Sequence, residues 1–169
     1  MRLAATWAGV GLAASMAFAA PTLAAKVGDQ IALPEIRLLD GTTIPEGHFK
    51  GKPVIVEYWA SWCPFCARQN PYVQKLWLQA KEQGLDILTV SIDSKTADAI
   101  GYLDKHQYTF PAAMETQALR DVLGKRKVVP HVFVINSEGY VAESIPGEMF
   151  EEDVLGLIKY APAPANTTK

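Results

Sequence analysis

The sequence predicts one α/β domain in which helices cover both faces of a central mixed sheet. Three apolar runs, rich in β-branched and aromatic residues, have the length of buried strands and lie at 54–59, 85–92 and 128–135. Stretches with apolar residues at three- and four-residue spacing separate these runs, and such strand–helix–strand units build α/β sheets. The 169 residues suffice for one such domain with a proper core, but not comfortably for two.

Composition and charge narrow the functional classes. Hydrophobic residues make up 49% of the chain and charged residues 20%, as in globular rather than disordered proteins. The formal net charge is only −2 and carries no nucleic-acid signature. We therefore expect no DNA or RNA partner.

The amino-terminal segment differs from the rest of the chain. Arg2 is the only charge before Lys26, and small and apolar residues fill 3–18 without interruption. Small residues at Ala17 and Ala19 then suit a cleavage site. We expect residues 1–25 to hold a secretory signal peptide cleaved between 19 and 25, which predicts a periplasmic protein. The alternative is an uncleaved membrane anchor that leaves the domain facing the periplasm.

The expected working domain therefore spans 26–160, and the Pro/Ala/Thr-rich residues 161–169 are predicted to be a disordered tail. Nothing in the sequence indicates a dimerisation segment, so we expect a monomer.

Turn residues and periodicity predict the first elements of the domain. Asp40-Gly41 separates two short extended stretches, which predicts a hairpin over 36–44. Residues 54–59 predict a strand buried on both faces, and 63–83 a helix kinked at Pro71. The apolar face of that helix is expected to comprise Phe65, Tyr72, Val73, Leu76, Trp77 and Ala80.

The same signals predict the remaining elements. A helix over 96–106 is expected to place Ala97, Ile100 and Leu103 on its apolar stripe. The other expected elements are a strand at 85–92, an extended stretch at 108–114, a helix at 117–123 ended by Gly124, a strand at 128–135 interrupted by Pro130, a returning strand at 140–145 and a helix at 150–160.

Both cysteines of the chain, Cys63 and Cys66, follow the strand 54–59. They come at the carboxyl end of a strand, where open α/β sheets place their sites. Free N–H groups and the dipole at a helix N-terminus stabilise a thiolate, so Cys63 is expected to attack a disulfide of a protein partner. Cys66, one helical turn on, is expected to resolve the mixed disulfide.

The cysteine pair has three alternative functions. A structural clip closes too short a loop to stabilise the fold appreciably. A structural zinc site needs four ligands, and the three histidines of the chain are scattered singly. A Cu(I) site formed by Cys63, Cys66 and His131 stays open as the alternative function, because two thiolates and an imidazole suit that ion.

Several stretches together resemble the thioredoxin superfamily. They are Trp59-Ala-Ser-Trp-Cys-Pro-Phe-Cys66, the helix with Pro71, and Val129-Pro130. More narrowly, residues 27–160 are similar to the exported TlpA/ResA/CcmG-like thiol–disulfide oxidoreductases. The resemblance implies a thioredoxin-like fold with an N-terminal hairpin and an extra αβ insertion at 96–114. It also implies a protein disulfide reductase without a cofactor, fed electrons by a membrane thiol carrier, with cytochrome c maturation among its possible processes.

The resemblance assigns further residues to the site. It implies that Pro130 is a cis-proline opposite the cysteines, and a proline in so apolar a strand independently needs a special role. The Val129 backbone is then expected to pair with an extended substrate. Trp62, Pro64 and Phe65, beside the cysteines, are expected to contact the substrate as well.

A carboxylate in the predicted central strand, Glu57, occupies the place of the buried aspartate of thioredoxin. Burial would raise its pKa toward neutrality, so Glu57 is expected to take the proton from Cys66. The alternative is that Glu57 reaches solvent or pairs with Lys52. ResA-like members carry a glutamate three residues after the second cysteine, but this chain has Gln69 there, which cannot act as an acid or base.

The roles of two features near Pro130 stay open. His131 could line the site or, by strand alternation, point to the opposite face. Residues 125–127, Lys-Arg-Lys, could form a solvated loop or a docking patch.

Overall fold

An N-terminal hairpin is the first regular structure in the computed structural model, which describes residues 24–163. Strands β1 (Ile36–Arg37) and β2 (Thr43–Ile44) pair antiparallel. Gly41 has a φ of +90°, and the Asp40 carboxylate accepts a 2.8 Å hydrogen bond from the Thr42 N–H, as the Asp-Gly turn predicts. Residues 1–23 of the predicted signal peptide and residues 164–169 of the predicted tail lie outside the described residues.

A five-stranded mixed sheet forms the centre of the domain. Its middle strand pairs in parallel on one side and antiparallel on the other. The strands, in the order in which they lie across the sheet, are β5 (Ala112–Met114), β4 (Asp86–Ser91), β3 (Val54–Trp59), β6 (His131–Ile135) and β7 (Val141–Pro146).

Four α-helices accompany this sheet in the described part of the chain. Short 3₁₀ turns at Lys81–Gln83 and Leu157–Tyr160 extend two of them. None of these helices has the length and apolarity needed to span a bilayer. They are α1 (Pro64–Ala80), α2 (Thr96–His106), α3 (Gln117–Leu123) and α4 (Glu151–Gly156).

Apolar clusters cover both faces of the sheet. On one face Val56 and Tyr58 of β3 pack with Leu119 of α3. On the other face Ile55 packs with residues of α1 and α4, including Leu76. All six residues of β3 are buried. The predicted architecture, with helices on both faces and a central strand buried on both sides, is therefore confirmed.

The predicted faces of two helices are partly wrong. In α2, Ala97 and Ile100 are exposed, and the inward residues are Ala99, Tyr102 and Leu103. The Tyr102 ring lies 5.1 Å from the Trp59 ring, and this contact with the end of β3 selects the inward face of α2.

On α1, the Phe65 side chain is half exposed, although the periodicity placed it on the apolar face. The fully buried side chains Gln69 and Asn70 occupy the inward face instead. They are tolerated there because each makes a hydrogen bond to a polar side chain of another element.

Candidate active site

Cys63 begins helix α1 directly after the loop that follows β3. Its backbone is extended (φ −85°, ψ 115°), and its sulfur accepts a 3.2 Å hydrogen bond from the Cys66 N–H. Pro64 occupies the first turn of the helix, where its missing N–H removes no intrahelical bond. The Cys63 sulfur thus serves as the N-cap of α1 and lies at the positive end of the helix dipole.

A buried carboxylate braces the loop between β3 and Cys63. Asp93, which follows β4, accepts hydrogen bonds from the Ser61 N–H at 3.0 Å and from the Ser61 hydroxyl at 2.8 Å. The Ser91 hydroxyl donates to the same carboxylate at 2.7 Å. Because these bonds join the ends of two neighbouring strands, they fix the backbone that leads into the cysteine pair.

Cys66 is the more deeply buried of the two thiols. Cys66 is completely buried, whereas the exposed fraction of Cys63 is 4%. Burial raises the pKa of the Cys66 thiol well above its ordinary value, and its hydrogen bond with Cys63 acts in the same direction. Cys66 therefore stays protonated until a base removes its proton, and Cys63 is the less deeply buried of the two thiols.

The peptide bond between Val129 and Pro130 is cis, as expected from the sequence. The Cys63 thiol donates to the Val129 carbonyl at 3.5 Å, and the Val129 side chain packs against the cluster of Trp59, Cys63 and Cys66. The fold therefore brings the predicted pair Val129 and Pro130 to the cysteines, although the two stretches are more than sixty residues apart.

Exposed apolar side chains lie in both stretches that meet at Cys63: Trp62 and Phe65 beside the cysteines, and Val128 before Val129. Trp62 is 65% exposed, Phe65 50% and Val128 48%. The guanidinium of Arg68 lies 4.8 Å from the Phe65 ring centroid and makes a two-pronged ion pair with Glu148, with both N–O distances 2.6 Å. This surface offers both apolar contact and a fixed pair of charges to a polypeptide.

Glu57 is fully buried behind the helix that carries the thiols. Its Oε1 accepts a 2.7 Å hydrogen bond from the Gln69 amide, and Gln69 Oε1 in turn accepts one from the Met149 N–H at 2.6 Å. Burial raises the pKa of Glu57 to about 8, and the bond from Gln69 opposes the rise. Glu57 makes no ion pair with Lys52 or with any other described residue.

Glu57 also lies close to the second cysteine. Cys66 and Gln69 are both buried and one turn apart on the same face of α1, so their side chains are neighbours. Because Gln69 holds Glu57, the carboxyl is placed beside the Cys66 side of the helix, and its negative charge contributes to the high pKa of that thiol.

His131 is not near the thiols. It is paired with Tyr58 across the strands and therefore lies on the face of the sheet opposite Glu57. Its Nδ1 is 3.2 Å from Arg126, and its Nε2 is 3.0 Å from the Ser144 hydroxyl. Burial and the Arg126 charge lower the pKa of His131 to about 4. Among residues 24–163, no three His, Cys, Asp or Glu side chains are grouped to hold a metal ion, so the copper set is not assembled.

Three residues that organise the site, Gln69, Asp93 and Arg126, have contacts that the sequence did not predict. The placement of Gln69 beside Cys66 could have been predicted, because Gln69 lies three residues after Cys66 on an α-helix and so shares its face. Asp93 carried a weaker signal, as a carboxylate at the end of a buried strand. Arg126 carried none, because a lysine on each side of it indicates a solvated loop.

Comparisons with known proteins agree with this geometry. The Redoxin family model matches residues 26–158. The thiol-disulfide oxidoreductase ResA of Bacillus subtilis (strain 168) is 30% identical over 125 residues, which cover 71% of this chain and 69% of ResA. The ResA of Oceanobacillus iheyensis is 29% identical over 139 residues, covering 79% of this chain and 71% of that protein.

Structural similarity points to the same fold. The crystal structure of a thiol:disulfide interchange protein of the thioredoxin family from Chlorobium tepidum TLS superposes with a TM-score of 0.69. The two chains are 23% identical, and the match covers 82% of this chain and 99% of the other. The family model, the ResA relatives and the paired thiols at a helix N-terminus lead to one conclusion: the protein belongs to the Redoxin family, as a thiol–disulfide oxidoreductase of the ResA type.

Proposed function

We propose that this oxidoreductase works as a reductant of protein disulfides in an exported location. The placement of the two thiols carries the proposal: Cys63 is the N-cap of α1 and retains a 4% exposed fraction, and Cys66 lies fully buried one turn behind it. That arrangement gives the two thiols separate roles, attack and resolution.

The reaction proceeds in two exchanges. The Cys63 thiolate attacks one sulfur of the partner's disulfide, which forms a mixed disulfide and releases the other sulfur as a thiol after it takes up a proton. The Cys66 thiolate then attacks Cys63 Sγ and releases the second thiol of the partner. The partner gains two electrons and two protons, and the enzyme ends with a Cys63–Cys66 disulfide, which a membrane thiol carrier reduces again by the same exchange.

Glu57 is the base for the second exchange. Cys66 needs a local acceptor for its proton because burial holds its pKa high. A carboxyl with a pKa of about 8 exchanges protons readily near neutral pH, and Gln69 keeps this one beside α1. Gln69 therefore occupies the place of the ResA-like glutamate without its acid–base role, and the buried strand supplies the carboxyl instead.

The residues between the cysteines favour a reductant. A strong oxidant stabilises its reduced form through bonds to the outer thiolate, but Phe65 has no polar atom to donate and its ring points toward solvent. The Cys63 thiolate is then stabilised by the free N–H groups and the dipole of the helix N-terminus, without a bond from the residues between the cysteines. A less stabilised thiolate means a more stable disulfide and hence a lower reduction potential.

Substrate contact is proposed at Val129 and Pro130 together with Trp62, Pro64 and Phe65. Val129 lies against Cys63, and the side chains of Trp62 and Phe65, beside the cysteines in the sequence, are 65% and 50% exposed. An extended segment of a partner that pairs with the Val129 backbone would present its disulfide to Cys63.

Removal of the first thiol tests the assignment. The Cys63→Ser variant should lose the reduction of insulin disulfides by dithiothreitol, because no mixed disulfide can form. The Cys66→Ala variant should stall at that mixed disulfide and accumulate it, as a band that disappears on reduction in non-reducing gels. Unchanged turnover in the Cys63→Ser variant would contradict the proposed role of Cys63.

The proton transfer predicts a pH profile. In the wild type, the rate at which Cys66 resolves a preformed mixed disulfide should rise with pH through an inflection near pH 8 and level off above it, as Glu57 becomes ionised. The Glu57→Gln variant should lose that inflection and resolve about a hundredfold more slowly at pH 8. Glu35→Gln, at an exposed carboxylate, is the matched control and should behave as the wild type.

The pH dependence of unfolding tests whether Glu57 causes the inflection in the resolution rate. Between pH 4.5 and about 8 the folded state keeps a proton on Glu57 that the unfolded state has released. The free energy of unfolding should therefore fall as pH rises through this range, by up to about 1.4 kcal/mol per pH unit. Urea titrations of the Glu57→Gln variant should lack this slope, and a slope retained in full would exclude Glu57 as its source.

The direction of electron flow is tested by the reduction potential. Equilibration with glutathione and dithiothreitol buffers should place it closer to roughly −270 mV than to roughly −120 mV. Phe65→His should raise it, because an imidazole can stabilise the outer thiolate, whereas Tyr140→His at the distant β6–β7 turn should not. A wild-type value above about −180 mV would make the protein an oxidant.

Export is supported by the sequence of the first 25 residues, in which the small residues Ala17 and Ala19 suit cleavage after Ala19. Ala25 is buried, and its N–H donates to the Leu123 carbonyl at 3.1 Å, a contact that such cleavage would keep. We therefore expect mass spectrometry of the protein from the cell envelope to find a chain that begins at residue 20. A chain that retains Met1 would instead support the membrane anchor.

A further inference from the structure

Arg126 is a buried cation in a segment that otherwise faces solvent. Its exposed fraction is 8%, while the flanking Lys125 and Lys127 are exposed. None of the ion pairs among residues 24–163 includes it, and Glu115, whose charge it feels, is paired with Arg120 at 3.0 Å. A buried charge without a counter-ion is costly unless hydrogen bonds and polarisable groups replace its water.

The guanidinium finds such partners at the end of helix α3. Its Nε donates to the Gly124 carbonyl at 3.1 Å, and its Nη2 donates to the same carbonyl at 2.7 Å and to the Leu123 carbonyl. These carbonyls belong to the last residue and the C-cap of α3, where backbone acceptors lack intrahelical partners and the helix dipole is negative. Arg126 therefore caps α3.

The other contacts of Arg126 are with the sheet. Its guanidinium carbon lies 5.0 Å from the ring centroid of Tyr58 in β3 and 4.6 Å from that of Phe133 in β6. Its Nη1 is 3.2 Å from Nδ1 of His131, which stacks on Phe133. The planar guanidinium can contact two aromatic rings and two carbonyls at once, which the ammonium of a lysine cannot do.

Arg126 thus ties the end of α3 to the start of β6. Only residues 127–130 lie between Arg126 and His131. They include Val129, whose carbonyl accepts a hydrogen bond from the Cys63 thiol. Within the segment, Val128 is half exposed and Val129 packs against the thiol cluster. The position of the backbone beside Cys63 therefore depends on an anchor on the opposite face of the sheet.

We propose that Arg126 is a positioning residue for polypeptide substrates: it holds Val128, Val129 and Pro130 where an extended segment of the partner can pair beside Cys63. This inference rests on the proposed disulfide reduction. If Arg126 has this role, its loss should slow the reduction of polypeptides but not of small disulfides. A small disulfide needs only the Cys63 thiol, whereas a polypeptide also needs the ordered backbone next to it.

The experiment compares two disulfides with matched variants. Arg126→Met keeps most of the side-chain volume but removes the donors, and Arg126→Lys keeps the charge but not the planar fork. Lys125→Met and Lys127→Met remove the same charge from exposed neighbours. Each variant reduces an oxidised polypeptide, such as insulin, and bis(2-hydroxyethyl) disulfide, below the temperature at which circular dichroism shows any unfolding.

Arg126→Met should raise KM for the polypeptide by about tenfold, as expected from the loss of charge-assisted hydrogen bonds. Its kcat, and its rate with the small disulfide, should stay within about twofold of the wild type. Arg126→Lys should give an intermediate KM, and the two neighbouring variants should match the wild type. If Arg126→Met does not fold, the comparison of the two disulfides with Arg126→Lys decides the question.

Three results would overturn the inference. An equal loss with both disulfides would assign Arg126 a general structural role, and no loss with either would leave it without a role in substrate binding. The same selective loss in Lys127→Met would assign the effect to the charge of the loop. A wild-type protein that reduces neither disulfide contradicts the proposed function itself, so the two failures are distinguishable.

Discussion

The complete burial of strand β3 is the constraint on which the rest of the structure depends. β3 pairs along its length with β4 and β6, and apolar clusters cover both of its faces, so neither its backbone nor its side chains can shift. The chain must leave this strand at Trp59, and the loop braced by Asp93 directs it into α1. Cys63 is therefore held at a helix N-terminus by packing that lies almost entirely outside the site.

Two buried ionisable groups lie on opposite faces of this strand, and neither has a counter-ion among residues 24–163. Glu57 points toward α1, where a single amide from Gln69 binds it and burial keeps its proton on near neutral pH. Arg126 lies against Tyr58, the next residue of β3, where carbonyls and aromatic rings surround its charge. In the roles proposed above, Glu57 accepts the proton of Cys66 and Arg126 holds the backbone beside Cys63, so both costly burials act on the thiol pair.

Much of the fold could be predicted from local patterns. The bounds of β3, α2 and α3 match the predicted ranges. A buried strand, a helical repeat and a glycine that ends a helix are each recognised from residues that are close together in the sequence. The faces of the helices were less predictable. Phe65 continues the apolar repeat of α1 yet is exposed, and Gln69 breaks the repeat yet is buried, because the inward face is chosen by the partners that the helix meets.

The sequence by itself determined the cysteine pair at the end of a buried strand, the carboxyl within that strand and the proline of the later strand. These signals are local, since each depends on residue type and on its place within one element. Only the tertiary structure decided that Gln69 holds Glu57, that His131 faces away from the thiols and that Arg126 is buried. Each of these outcomes is a contact with another element of the fold, and the side chain that satisfies a buried polar group is set by how the elements pack.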